Sequence, residues 1–204
     1  MRKAFEIGGI VAAIVLIAFG IGAVAMGING RSTVRSNLAL EQITFGDASK
    51  DATVPAKYSG QLVNTGDKAR AFAQMMRHHT LEATQGLTYS QMGRFAAKAG
   101  TPAKLTDGQG GTNDPMYAAT DAKGAPVSNS ARDLWVTETA LTTALNTAYM
   151  AERVALFGIV TGIALLLSGI GFAILAIGGA LRSKESGFAF INRRTAKTQA
   201  APAA

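Results

Sequence analysis

Two stretches of this chain contain no charged residue: Ile7–Ile28, which is 22 residues long, and Val154–Leu181, which is 28. About 20 apolar residues suffice to carry a helix across the roughly 30 Å hydrocarbon core of a bilayer. Lipid offers no partner to a backbone N–H or C=O, so a spanning segment must satisfy its hydrogen bonds internally, as a helix does. Both runs are therefore expected to be transmembrane helices, the longer one with room to tilt or to extend past the bilayer. The competing reading, two helices buried in a soluble core, needs more protein around them than residues 29–153 can supply. The two runs also explain why only 16% of the residues are charged, against about 25% in a typical soluble domain.

A net charge of +7 invites a nucleic-acid reading. The excess does not sit on the middle segment, however. Arg2 and Lys3 precede the first run, and Arg182, Lys184, Arg193, Arg194 and Lys197 follow the second. Basic residues flanking membrane spans mark the cytoplasmic side. Both termini are thus expected in the cytoplasm of a cell (plasma) membrane, with no nucleic acid as partner. Arg31, Arg35 and Arg153 lie on the opposite side and weaken the bias. The expected layout is a stub at 1–6, a first span at 7–28, an extracytoplasmic helical domain at 29–153, a second span at 154–181 and a basic tail at 182–204. That tail carries Phe188 and Phe190 beside its basic residues, a composition suited to a lipid surface and otherwise to disorder. Ala23-Val24-Ala25 has the form of a signal-peptidase site. The apolar run is longer than a usual signal core, so the span is expected to be retained.

Small residues four apart on a membrane helix let a second helix approach closely. Gly158 with Gly162 on the second run, and Ala18 with Gly22 and Ala23 with Gly27 on the first, have that spacing and are the candidate packing interface, between the two spans or between copies.

The middle segment is read as a small helical bundle. The first helix is expected to continue past the membrane through Val34 and Leu38, giving way to a polar stretch at Asp47–Pro55. Thr65-Gly66-Asp67 has the character of a helix start and Gly86 of a stop, with Ala69, Phe72, Met75, Met76, His79 and Ala83 near one face. A short second helical piece is expected at Thr88–Ala99. Residues 99–131 are rich in Gly, Pro, Asp, Asn, Ser and Thr and are read as a long loop. From about Ser130, Leu134, Leu141 and Ala148 alternate with Glu138, Leu145 and Glu152 in a heptad-like stripe. Nothing breaks this helix before Val154, so the second span is expected to be continuous with a long exposed helix. The fold class is thus an all-α membrane protein.

The stretches RHHTLEATQGLTYSQMGRF (77–95) and WVTETALTTALNTAYMAERVALFGIVTGIALLLSGIG (135–171) resemble an uncharacterised family of actinobacterial membrane proteins. That resemblance implies two spans around an exposed middle segment and a bacterial source. Some members carry a ring-opening dioxygenase label, and the resemblance implies no site residues.

The label can be tested on the residues. Non-haem iron requires two histidines and a carboxylate converging on one side. His78 and His79 are the only histidines, and neighbours on a helix point about 100° apart. A weaker metal site would pair one of them with Glu82, three or four residues on, and borrow a carboxylate such as Glu138. Gly108-Gln109-Gly110-Gly111 lacks the Lys-Ser/Thr ending of a phosphate loop and reads as flexible loop. No serine-hydrolase elbow is present. With no cysteine, sulfur chemistry has no residue to use. Trp135 and Tyr149 read as packing residues, Tyr149 also as an interfacial anchor.

Glu138 and Glu152 interrupt an otherwise apolar stripe. A buried carboxylate needs a cationic partner, and Arg35, Arg70 and Arg77 are the candidates. For Glu138 the sequence suggests a buried ion pair. For Glu152, beside Arg153, it suggests anchoring at the membrane surface. The expected function is that of a non-catalytic structural or accessory subunit without a cofactor. It would act through helix packing in a homo-oligomer or with other membrane proteins of a larger envelope complex. The alternatives are an extracytoplasmic sensor signalling through a separate partner and, more remotely, a membrane-bound metal-dependent enzyme.

Overall fold

The computed structural model describes residues 2–106 and 110–178. The chain is mostly helical, and the described residues form three α-helices: α1 (Arg2–Leu40), α2 (Gly66–Ala83) and α3 (Ser130–Ile177). The α1 and α3 helices are both long and apolar enough to cross a membrane. The end of the expected second span (179–181), the tail 182–204 and the pair Gly108-Gln109 lie outside the described residues. Two compact units emerge, Met1–Gly30 with Val154–Ala204, and Arg31–Arg153.

In the first unit, α1 and α3 pack antiparallel through small residues seven apart. Ala13, Gly20 and Gly27 face inward on α1, and Gly162, Gly169 and Ala176 are buried on α3. A Cβ on Gly20 would come within 2.8 Å of the Gly162 carbonyl oxygen, and one on Gly27 within 2.6 Å of that of Ala155. On Gly169 it would approach the Ala13 carbonyl oxygen at 3.1 Å. A seven-residue repeat keeps one face of each helix toward its neighbour, as in coiled coils. The side chains of Leu166, Ile159 and Ile17 come as close as these backbone oxygens, so the small residues leave room for both.

The second unit has an ordinary apolar core. Leu38, Phe45, Val54, Val63, Ala69, Ala73, Met75 and Leu145 form one buried cluster. Phe45 anchors it, stacked on Tyr58 and edge-on to Phe72, each with centroids 5.4 Å apart. The segment after α1 closes on itself, with Val63 N–H donating to Ile43 C=O and Phe45 N–H to Gln61 C=O. The α2 helix begins where its sequence signals: Thr65 caps it, accepting from the Lys68 N–H. It ends at Ala83, and the turn that follows closes on Gly86, whose φ of +81° suits glycine and whose N–H reaches back to Leu81 C=O.

Two expectations require correction. Thr88–Ala99 is not a helical piece: a short 3-10 turn at Tyr89–Gln91 leads into strand β1 (Phe95–Ala96), which pairs antiparallel with β2 (Gly111–Thr112). Among the described residues, 99–131 is likewise less shapeless than a plain loop. Backbone bridges Ala97–Ala118 and Thr120–Pro126 tie it together. It ends on Asn129, a buried residue whose side chain caps α3 at Ala131 N–H and also donates to Gly93 C=O. The fold is mostly rather than purely helical.

Candidate functional site

The α3 helix carries Trp135, Glu138, Leu145 and Glu152 on its buried side. Of the stripe that the apolar pattern suggests, Glu138, Leu145 and Glu152 are buried and Leu141 and Ala148 half-buried, while Leu134 is 43% exposed and Trp135 is buried in its place. Two carboxylates therefore lie inside the second unit, 14 residues apart on one helix face.

Glu152 is the better satisfied. Arg31 Nε and Arg35 Nε donate to its Oε1 at 2.9 and 2.7 Å. The Gly66 N–H, at the first turn of α2, donates to its Oε2. Only glycine fits at 66, because a Cβ there would stand 2.9 Å from that same oxygen and 3.0 Å from Tyr149 Cα. Burial pushes the Glu152 pKa up, but the Arg31, Gly66 and Arg35 hydrogen bonds and the Arg35 charge outweigh it. The net result is a pKa below the usual carboxylate value. This corrects the expectation of a surface anchor: Glu152 is 8% exposed, and Arg153 instead pairs with Asp67. The reason is tertiary, since α2 brings its N-terminus onto α3 and closes the site.

Glu138 is buried more completely, at 1% exposure. Of the three cations suggested by the sequence, Arg77 is its partner, with Nη1 donating to Oε2 at 3.3 Å. Thr139 Oγ1 donates to the same oxygen, also at 3.3 Å. Oε1 accepts nothing from the protein, alone among the buried side-chain N and O atoms of the described residues. The Arg77 guanidinium lies 4.0 Å over the Trp135 ring, a cation–π contact that holds it in place. Beside the pair, Ala73, Gln74, Arg77, Glu138, Thr142 and Asn146 line an open cavity of about 360 Å³. Tyr149 meets a different cation: its hydroxyl accepts from Arg70 Nη1 at 3.0 Å, which with the Arg153 hydrogen bond lowers the phenol's pKa.

The histidines diverge. His78 Nδ1 lies 3.6 Å from Glu82 on the exposed side of α2. His79 Nε2 sits 3.0 Å from Asp51 and 2.9 Å from Thr53 Oγ1. Their rings are 6.4 Å apart. Among the described residues no group of three His, Asp or Glu side chains is placed to hold a metal ion.

In the first unit, Gly162 lies in the α1–α3 seam, 2.8 Å (as a built Cβ) from Gly20 C=O, and Gly158 flanks it at 3.7 Å from Ala23 C=O. Ala18 and Gly22 face outward instead, with open space around Gly22. Of the two four-residue pairs on α1, Ala23 with Gly27 brings Gly27 into the α1–α3 seam and Ala18 with Gly22 lies off it. The signal that finds the seam is the seven-residue recurrence of small residues, Ala13-Gly20-Gly27 and Ala155-Gly162-Gly169-Ala176. In comparison with known proteins, no family model, no curated protein and no solved structure matches the chain.

Proposed function

We propose that this chain is an integral membrane protein of the plasma membrane that acts as a non-catalytic structural or accessory subunit. Its α1 and α3 apolar segments span the bilayer, both termini are cytoplasmic, and residues 29–153 form the extracytoplasmic domain. One observation carries this reading. Only 17% of the apolar window of each long helix is buried, whereas a soluble protein's core helix is mostly buried. Phe19, Met26, Phe157 and Leu167 are each at least 65% exposed, an arrangement that lipid favours and water opposes. With Gly20, Gly27 and Gly162 used within the chain, Ala18 and Gly22 leave a second small-residue stripe facing outward. That stripe suits a second copy or another membrane protein of an envelope complex. The resemblance to actinobacterial two-span proteins agrees with this topology.

The test uses the absence of cysteine. Single-cysteine variants at the exposed Lys123 and Ser128 should react with an impermeant maleimide in intact cells, and the chain should stay in the pellet after alkaline extraction. A chain that remains soluble and unaggregated without detergent overturns the membrane reading. Crosslinking in native membranes that recovers only monomers without partners overturns the subunit role. A sensor reading is the second choice, favoured by the cavity at Glu138 in a domain between two spans. A metal-dependent enzyme is a remote third.

A further inference from the structure

We propose that Arg70, Arg153 and Tyr149, with Arg31 and Arg35 beside them, hold the phosphate headgroup of an anionic lipid in the outer leaflet. This rests on the membrane reading and adds a ligand to it. Its first support is where the charge lies. Residues 31–153 carry 13 basic and 11 acidic side chains. Four of the arginines and two of the carboxylates form one connected cluster. Arg31 and Arg35 share one oxygen of Glu152, whose other oxygen takes the Gly66 N–H. Next along the two helices, Arg153 pairs with Asp67 and, together with Arg70, meets Tyr149. Outside the cluster nine basic residues balance nine acidic ones. The whole positive excess of the segment therefore sits in it.

The second support is geometry. Arg70 Nη1 donates to the Tyr149 hydroxyl at 3.0 Å, and Arg153 hydrogen-bonds the same phenol. The two guanidinium carbons lie 4.8 and 5.0 Å from the centre of that one ring. Like charges held so close repel unless an anion joins them, and Asp67 answers only for Arg153. Among the described residues Arg70 pairs with no carboxylate and bonds to the phenol instead. A guanidinium fork matches two oxygens of a phosphate, and the phenol, which accepts from the arginines, keeps its own proton to donate. An anion can reach these groups: Arg70 is exposed, Arg153 is 49% exposed at its side chain, and Arg31 and Arg35 are each 40%.

The third support is depth. Arg153 directly precedes the second apolar run, and Arg31 follows the first by three residues. Tyr149 stands five residues before Val154 on the same helix, roughly 7 Å along its axis. A headgroup layer is roughly 5–8 Å deep on each side of the hydrocarbon, and tyrosine favours that level. Lipid phosphates are the negative groups found there.

Full-length protein, extracted from membranes in an uncharged detergent, would be titrated with phosphatidylglycerol, phosphatidylcholine or inorganic phosphate, and the bound species counted by native mass spectrometry. Phosphatidylglycerol should bind tightest. Arg70→Gln combined with Arg153→Gln should weaken it roughly 25-fold, at about fivefold per cation, with an unchanged circular dichroism spectrum. Tyr149→Phe, which leaves every charge in place, should weaken it about fivefold and decides the matter if the double variant does not fold. Lys104→Gln combined with Lys123→Gln removes the same charge from exposed positions elsewhere in the unit and should bind like the parent. The basic tail is common to all these proteins, so its own attraction for lipid cancels. The proposal falls if the arginine and Tyr149 variants bind like the parent or if the lysine pair weakens binding equally. It falls too if phosphatidylcholine or inorganic phosphate binds as tightly as phosphatidylglycerol. A chain that stays in solution without detergent overturns the membrane reading as well, whereas any of these results on membrane-extracted protein overturns the headgroup site alone.

Discussion

The same helix, α3, is packed by two different rules. Between Ala155 and Ala176 its contacts with α1 run through Gly and Ala, set against backbone oxygens and the side chains of Leu166, Ile159 and Ile17. Between Trp135 and Glu152 it meets large side chains and two carboxylates. On the proposed membrane reading, solvent accounts for the difference. In water, burying apolar area gains roughly 25 cal/mol per Å², so a core grows from residues such as Phe45, Met75 and Leu145. In lipid, two leucines gain little by meeting each other instead of acyl chains, so association depends on close van der Waals contact and small residues. The two units are therefore expected to respond to different substitutions.

The largest effect should come from Glu152→Ala, which leaves Arg31, Arg35 and the Gly66 N–H without their acceptor. The arginines are 40% exposed and can rehydrate, which places the loss at the lower end for a broken buried pair, about 3 kcal/mol. Chemical unfolding in micelles, followed by Trp135 fluorescence, would measure it. A loss near zero would show that the second unit does not depend on this junction.

Next comes Gly162→Leu, whose Cβ would stand 2.8 Å from Gly20 C=O and from Val24. Overpacking of this kind costs about 2 kcal/mol and should appear as earlier SDS-induced separation of α1 from α3. Gly22→Leu meets nothing within 4 Å. It should leave that pairing intact and weaken only crosslinking between copies. If the two variants behaved alike, the distinction between inner and outer small-residue stripes would collapse.

The third prediction concerns pH. Because the folded Glu152 has a lowered pKa, its contribution is complete above the unfolded value of 4.5 and is lost as pH falls through the lower folded value. Unfolding midpoints of the parent should therefore drop below pH 4.5 more steeply than those of Glu152→Gln. Asp47 and Asp51, whose pKa values are lowered by hydrogen bonds from Ser49 and Thr53, keep part of the slope in both.

The smallest effect is expected from Glu138→Gln. It removes a buried charge whose Oε1 has no donor and keeps the Arg77 contact through the remaining oxygen. The change in stability should stay within about 1 kcal/mol, in contrast to the loss at Glu152. A large destabilisation would make Glu138 a structural residue like its neighbour.

Local chemistry made the helices legible. Thr65 and Gly86 bracket α2 because capping and a positive φ are properties of one turn. The uninterrupted α3 follows from the absence of any breaker after Ser130. The stretch 88–99 misled because Tyr89, Met92 and Phe95 share helical spacing, while the backbone partners of Phe95, Thr112 and Ser128, are distant in the chain. The pairing of Glu138 was readable as a need for a cation, but not the choice of Arg77, and the burial of Glu152 was missed because α2 supplies it.

What the sequence alone determined is each helix and its solvent preference, since periodicity, caps and apolar length act within a few turns. What only the tertiary structure decided is which faces meet. A register of seven between α1 and α3, the seat of Glu152 on the first turn of α2, and the unsatisfied oxygen of Glu138 all depend on contacts between segments tens of residues apart. The seven-residue recurrence of small residues marks the seam faces of α1 and α3, but no local pattern specifies the seat of Glu152 or the surroundings of Glu138, because these are chosen by the packing of the whole unit.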